Sequence, residues 1–184
     1  ESEHMHELVE QLLFLARGDA GRNTLTTTHV NFARLAYEVG EESEMIDPDH
    51  RYVLNFDVTA MNETHYQVVG DVALLKQCLR IIVHNAARYS PPQTFITFDV
   101  SYDEKYVRVS IQDEGIGISD AAASHIFERF WRADNARAEN NDGSGLGLSI
   151  AKWIVDSHDG SIDVLSREGV GTRFTIFISR DEQP

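Results

Sequence analysis

Every stretch of this chain that reads as a strand alternates. Residues 95–100, 106–111, 161–166 and 172–178 set apolar side chains at every second position. Residues 52–58 alternate as well, and 66–69 could pair with them. Strands buried on both faces run continuously apolar, whereas alternating strands are covered on one face only. The cover is also visible. Phe32, Leu35, Ala36 and Val39 mark one amphipathic helix, and Leu75, Cys78, Leu79, Ile82, Val83 and Ala86 mark a longer one. Asp71 is a suitable N-cap for the second, and Ser90-Pro91-Pro92 ends it. A short helix is predicted over 121–126 and a last one over 146–157. The predicted class is therefore α/β, with helices on one face of a mixed sheet.

A chain of 184 residues, 42% hydrophobic and 25% charged, can bury about two-thirds of its unfolded surface. That suits one domain with an appendage. The appendage is residues 1–20, in which Met5, Leu8, Val9, Leu12, Leu13 and Ala16 recur at helical spacing. So short a stripe needs a partner helix, and Gly18-Asp19-Ala20-Gly21 is predicted to break it. Residues 21–184 read as one unit. The net charge of −14 argues against a nucleic acid or an anionic membrane surface as main partner, while leaving room for a local basic pocket. The acidic stretch Glu41, Glu42, Glu44, Asp47 and Asp49 reads as a solvated loop. A single cysteine, Cys78, excludes an internal disulfide and a cysteine-based zinc site, and reads as core. With no apolar run near about 20 residues and no signal-peptide pattern, the expectation is a soluble, cytoplasmic piece.

Four clusters could carry chemistry. Asn85 and Arg88 stand at the end of the long helix, Asn85 at the border of its apolar stripe. A neutral amide there can offer oxygen to a hydrated Mg²⁺ or simply bond the helix end. Asp113-Glu114-Gly115-Ile116-Gly117-Ile118 follows a strand directly. Its glycines permit close backbone approach to a flat ligand, and its Asp can accept from an exocyclic amine such as adenine's; an ordinary turn is the alternative. Phe127-Glu128-Arg129-Phe130-Trp131-Arg132, with Arg137 beyond, could anchor a lid whose arginines reach phosphate, or could be a surface helix over a small aromatic core. Gly143-Ser144-Gly145-Leu146-Gly147-Leu148 opens a helix with free N–H groups, a position that favours phosphate. It has no Walker lysine and follows a polar loop, so neither a P-loop nor a Rossmann site fits. The loop at 134–145, rich in Asn, Asp and Gly, is expected to be mobile without ligand and ordered by phosphate.

Together these clusters resemble the catalytic and ATP-binding domain of sensor histidine kinases, in the GHKL ATPase superfamily. The resemblance runs from about Thr24 to Ser179. Residues 85–91 are similar to the family's N box, 113–118 to its G1 box, 127–132 to its F box and 143–148 to its G2 box. Gly169-Val170-Gly171-Thr172-Arg173-Phe174 resembles its closing G3 motif. The resemblance implies a Bergerat fold: a two-layer sandwich whose mostly antiparallel sheet carries about three helices on one face. It also implies ATP and Mg²⁺ as ligands. Asn85 would help hold the metal, with Arg88 and Tyr89 beside phosphates and sugar. Asp113 would take the adenine amine, with Gly115, Gly117, Ile118 and Thr172 shaping that end. Arg132 and Arg137 would reach phosphate from the lid, and Gly143, Ser144, Gly145, Leu146, Gly147 and Leu148 would cradle it. Ile81 departs from the family, which usually has Asn there, or a general-base Glu in ATP-hydrolysing members. An Ile cannot activate water.

Residues 8–17 resemble the end of the second helix of the family's dimerisation and phosphoacceptor domain. His6-Glu7-Leu8 echoes the phosphoacceptor motif His-Glu-Leu-Arg-Thr-Pro, but Val9-Glu10 replaces Arg-Thr and no Pro follows. His6 therefore reads as an ordinary histidine. The implied activity is presentation of the γ-phosphate of Mg-ATP to a histidine outside this chain, for onward transfer to the receiver domain of a response regulator. The implied whole protein is a homodimeric, membrane-anchored sensor with this part in the cytoplasm. Two other readings stay open at this point, a GHKL-type ATPase and a nucleotide-binding pseudokinase module. Ile81 argues against the first, and Asn85, Asp113 and the glycine turns against the second.

Overall fold

The computed structural model describes residues 2–133 and 143–181. Helix α1 (Ser2–Asp19) leads into a short strand β1 (Thr28–Asn31) and helix α2 (Phe32–Ile46). Strand β2 (Arg51–Leu54), two 3₁₀ turns and strand β3 (Gln67–Gly70) follow. Helix α3 (Val72–Tyr89) runs into the hairpin β4 (Phe95–Tyr102) and β5 (Tyr106–Gln112). After a short α4 (Asp120–Ala123), helix α5 (Gly147–Ser157) and the hairpin β6 (Ser161–Arg167) and β7 (Gly171–Ser179) complete the fold.

The main sheet has five strands in the order β2-β4-β5-β7-β6; only the β2–β4 pair is parallel. Its inward face carries Ile96, Phe98, Val107, Val109, Ile111 and Ile176, all essentially inaccessible to solvent. Against them pack the apolar faces of α2, α3 and α5, including Phe32, Leu79, Ile82 and Ile154. Each fully buried side chain of this size contributes about 1.5–3 kcal/mol. This is the one-sided cover that alternation requires. Asp71 caps α3, its Oδ1 accepting from the Leu74 N–H at 3.1 Å, so the cap the sequence suggests is made. Cys78 is buried, and burial pushes its thiol up to about 12. No helix among the described residues is long and apolar enough to cross a membrane.

Three local expectations are corrected. The strand expected over 52–58 stops at Leu54, because Asp57 caps a 3₁₀ turn by accepting from the Thr59 N–H at 2.8 Å. Nor does β2 pair with the segment at 66–69. It joins β4, while β3 pairs with β1 in a separate two-stranded sheet. The helix expected over 121–126 is only Asp120–Ala123, capped by Ser119 and followed by turns. The helix break expected at Gly18-Asp19-Ala20-Gly21 is found: α1 ends at Asp19, and Gly21 takes a φ of +65°. A Cβ on Gly18 would lie 2.5 Å from the Trp153 Nε1, so the missing side chain there also admits the indole. Phe14 meets the same indole edge-on at 5.0 Å, and Leu15 is buried. Of the stripe, Met5, Val9, Leu12 and Leu13 stay exposed, while Leu8 is half-buried.

Candidate functional site

The four clusters converge on one cleft of about 1020 Å³. Its walls are the last turns of α3, the turn after β5, residues 126–133 and the start of α5. At the deep end, Asp113 follows β5 directly and is 7% exposed. Its Oδ1 accepts from the N–H groups of Gly115 at 2.8 Å and Thr172 at 3.1 Å. Among the described residues, Oδ2 has no partner. Burial raises the Asp113 carboxyl above its ordinary value, and the two backbone donors offset this only in part.

The glycines are required by crowding. A Cβ on Gly115 would stand 2.5 Å from the Tyr89 carbonyl oxygen, which also accepts from the Ile116 N–H at 3.1 Å. Gly117 has φ of +70°, and a Cβ on it would overlap the Arg167 carbonyl. The turn after β5 is thus threaded between the end of α3 and the β6–β7 hairpin.

The other end of the cleft is cationic. The Arg88 guanidinium lies against Gly143, where a Cβ would be 2.8 Å from Nη1, and its Nε is buried with no hydrogen-bond partner among the described residues. Arg80, also in the wall, is engaged by Glu42 at 2.7 Å. Ser144 Oγ accepts from the Leu146 N–H at 3.2 Å and donates to Gln11 Oε1 at 2.8 Å. Gly145 accepts from the Phe130 N–H at 3.0 Å, tying the glycine turn to the aromatic segment. Phe130 itself has φ of 62°, a strained value for a bulky residue.

Of the residues singled out in sequence, Asn85, Arg88, Tyr89, Asp113, Gly117, Ile118, Arg132, Gly143, Ser144, Gly145, Gly147, Leu148 and Thr172 line this cleft. Gly115 lies behind Asp113, and the Leu146 side chain is wholly in the core. Arg137 lies outside the described residues. Ile81 lines the cleft too, packing on Gly147 at the start of α5. Asn85 has no hydrogen-bond partner among the described residues, which leaves its amide oxygen available. No group of three or more His, Cys, Asp or Glu among the described residues is placed to hold a metal ion, so a metal ion here would draw on Asn85, water and ligand oxygens.

Sequence reasoning missed two contributors. Glu7, Leu8 and Gln11 of α1 also line the cleft, a tertiary contact that no local pattern announces. Ser166 accepts from the Ile118 N–H at 2.8 Å and contacts Thr172 Oγ1 at 2.7 Å. Its signal was legible: it shares the inward parity of Ile162 and Val164 on β6, and so is a hydroxyl on an apolar face.

The cleft therefore has acceptors at its deep end and guanidinium and N–H groups at its mouth. That polarity suits a ligand with a flat donor-bearing head and an anionic tail. A family model described as histidine kinase-, DNA gyrase B- and HSP90-like ATPase matches residues 70–182. The chain is 34% identical to the probable sensor histidine kinase TcrY of Mycobacterium tuberculosis over 181 residues, covering 98% of this chain and 37% of that protein. It is 33% identical to the sensor histidine kinase WalK of Bacillus subtilis over 186 residues, covering 100% of this chain and 30% of WalK. Among solved structures, the mycobacterial sensor histidine kinase MprB matches with a TM-score of 0.72 at 27% identity, over 83% of this chain and 97% of that one. The chain spans 37% and 30% of the lengths of TcrY and WalK, about a third in each case.

Proposed function

This chain belongs to the histidine kinase-, DNA gyrase B- and HSP90-like ATPase family, and from that premise we propose that it is the catalytic, ATP-binding domain of a sensor histidine kinase. The observation that carries the reading is the polarity of the cleft, with Asp113 Oδ2 open at the buried end and Arg88 beside the Gly143–Gly145 turn at the other.

In this reading Asp113 accepts from the adenine amine, and the glycine turn and α5 N-terminus receive phosphate through backbone N–H groups. Arg88 and Arg132 neutralise charge at the same end. Asn85 offers its amide oxygen to Mg²⁺, which when bound would offset charge on the transferred phosphoryl group. Catalysis by this chain consists of positioning and neutralisation, because phosphoryl transfer asks little covalent chemistry of the protein. Ile81 supplies no base to activate water, which favours transfer over hydrolysis.

The acceptor is a histidine of the dimerisation and phosphoacceptor domain, and α1 is the end of that domain's second helix. A response regulator receives the phosphoryl group next. The whole protein is a homodimeric, membrane-anchored sensor with this domain on the cytoplasmic side. A mixing assay tests the reading. The 184-residue chain, incubated with labelled Mg-ATP, should bind nucleotide and gain no acid-labile phosphohistidine. Adding a phosphoacceptor hairpin in trans should restore transfer. Rapid steady-state ATP hydrolysis without acceptor would instead support an ATPase, and phosphate on His6 would make α1 the substrate.

A further inference from the structure

Behind the deep end of the cleft, Ser166 closes a small hydrogen-bond circuit. Its Oγ accepts from the Ile118 N–H at 2.8 Å, lies 3.0 Å from the Gly171 carbonyl oxygen and 2.7 Å from Thr172 Oγ1. A hydroxyl has one hydrogen and two acceptor lone pairs. The Gly171 carbonyl can only accept, so Ser166 must give its single hydrogen there to make that bond. The contact with Thr172 is then made by the hydrogen of Thr172. With the reverse polarity two acceptors would face each other at Gly171, and the circuit would hold one bond fewer.

From this count we propose that Ser166 is a specificity-determining residue, which fixes the Thr172 hydroxyl as a donor to itself so that only lone pairs of Thr172 Oγ1 face the cleft. Asp113 Oδ2 is also an acceptor, so both side chains at the deep end reject a carbonyl and welcome an exocyclic amine. Asp113 accounts for the attraction of an amine. Ser166 accounts for the missing alternative, because a Thr172 hydroxyl free to rotate would donate to a carbonyl and blunt the discrimination. This inference rests on the nucleotide reading above. Ser166 need not touch ligand; it acts through Thr172.

The test is a comparison of ATP with inosine triphosphate, whose six-position carries a carbonyl in place of the amine. Calorimetric affinities for both are measured on wild type, Ser166→Ala, Thr172→Val and the double variant. Wild type should prefer ATP. Ser166→Ala should reduce the ATP-to-inosine-triphosphate preference by about two- to tenfold, the size of one neutral hydrogen bond, chiefly by gaining inosine triphosphate affinity. Adding Ser166→Ala to Thr172→Val should leave the preference unchanged, since no hydroxyl remains to be released. A prop with no role in selectivity would weaken both nucleotides together. An unchanged preference in a Ser166→Ala protein that still binds ATP therefore overturns the assignment, as does the same shift in the Thr172→Val background. Ser166→Cys keeps the side chain's shape with a weaker acceptor, and carries the same expectation if the alanine variant is unstable. Wild type that binds neither nucleotide would overturn the nucleotide reading itself, a result distinct from binding with unaltered preference.

Discussion

Asp113 and Thr172 are bound to each other twice. The Asp113 N–H donates to the Thr172 carbonyl at 2.9 Å, and Asp113 Oδ1 accepts from the Thr172 N–H at 3.1 Å. The second bond, with that from Gly115, uses up one carboxylate oxygen and aims the other at the cleft.

Asp113→Asn is therefore more than a loss of charge. The two backbone donors require an oxygen at the Oδ1 position, which turns the amide NH₂ into the cleft, donor against donor. ATP affinity should fall by about tenfold or more, as expected for a charge-assisted hydrogen bond worth about 1.5–3 kcal/mol. Isothermal calorimetry reads this directly, and an unchanged affinity would remove Asp113 from the site.

The same carboxyl sets a pH dependence. Burial raises its folded value, with Gly115 and Thr172 opposing. Because the amine bonds the ionised form, ATP affinity is full above that raised value and is lost as pH falls through it. The loss should begin at higher pH than for an exposed carboxylate, and Asp113→Asn should flatten it.

A second titration concerns stability rather than binding. His50 has acceptors on both ring nitrogens, the Asp47 carboxylate at 2.8 Å and the Ser90 carbonyl at 3.1 Å, just past the last turn of α3. Only the imidazolium donates to both. Burial pulls the His50 value down, but Ser90 and Asp47 more than reverse this, so the net direction is up. A raised folded value means stability fully present below the unfolded histidine value and lost as pH rises through the folded one. Urea melts should show wild type exceeding His50→Gln by more at pH 6 than at pH 9. A gap that is constant with pH would show that His50 is not charged there.

How much of this was legible depended on the length and locality of each pattern. The α3 stripe and the long alternating strands were readable because their periods repeat over many residues. Strand β1 has only four residues, two of them buried, and its partner lies about forty positions away; nothing local announces it. The helix end at Gly18–Gly21 was readable, but the place Gly18 leaves for the Trp153 indole was not, because a glycine chosen for close approach looks, in sequence, like one chosen for a turn. The cleft residues were legible as motifs, while the contact of Gln11 with Ser144 spans 133 positions and exists only in the fold.

Crowding and backbone strain can be separated at two glycines. Gly117 and Gly169 have similar φ values, +70° and +73°, but a Cβ on Gly117 would overlap the Arg167 carbonyl and one on Gly169 meets nothing within 4 Å. Gly169→Ala should cost only the left-handed penalty, about 1 kcal/mol. Gly117→Ala adds a backbone clash and should cost about 2 kcal/mol or more, a fall of about 4–8 °C in melting temperature. Equal melting temperatures would mean that the turn relaxes away from Arg167 without cost.

Asn85 gives the sharpest separation of function from stability. It sits on α3 next to buried Ala86, yet is itself half-buried, and its amide has no hydrogen-bond partner among the described residues. Asn85→Ala thus breaks no internal bond found in the structure, and Ala is the better helix former, so stability should change by no more than about 0.5 kcal/mol. Function should respond differently. If the amide oxygen helps hold Mg²⁺, wild type should bind ATP more tightly with the ion than with excess chelator, and the variant should lose most of that difference. Its neighbour Ile81, one turn earlier in the same wall, has no oxygen with which to compensate. Phosphoryl transfer to an added acceptor hairpin should fall with it, while affinity in chelator stays near that of wild type. Calorimetry with and without Mg²⁺, run beside thermal melts, separates these outcomes. An Asn85→Ala protein that keeps the full Mg²⁺ enhancement would place the ion on ligand and water alone.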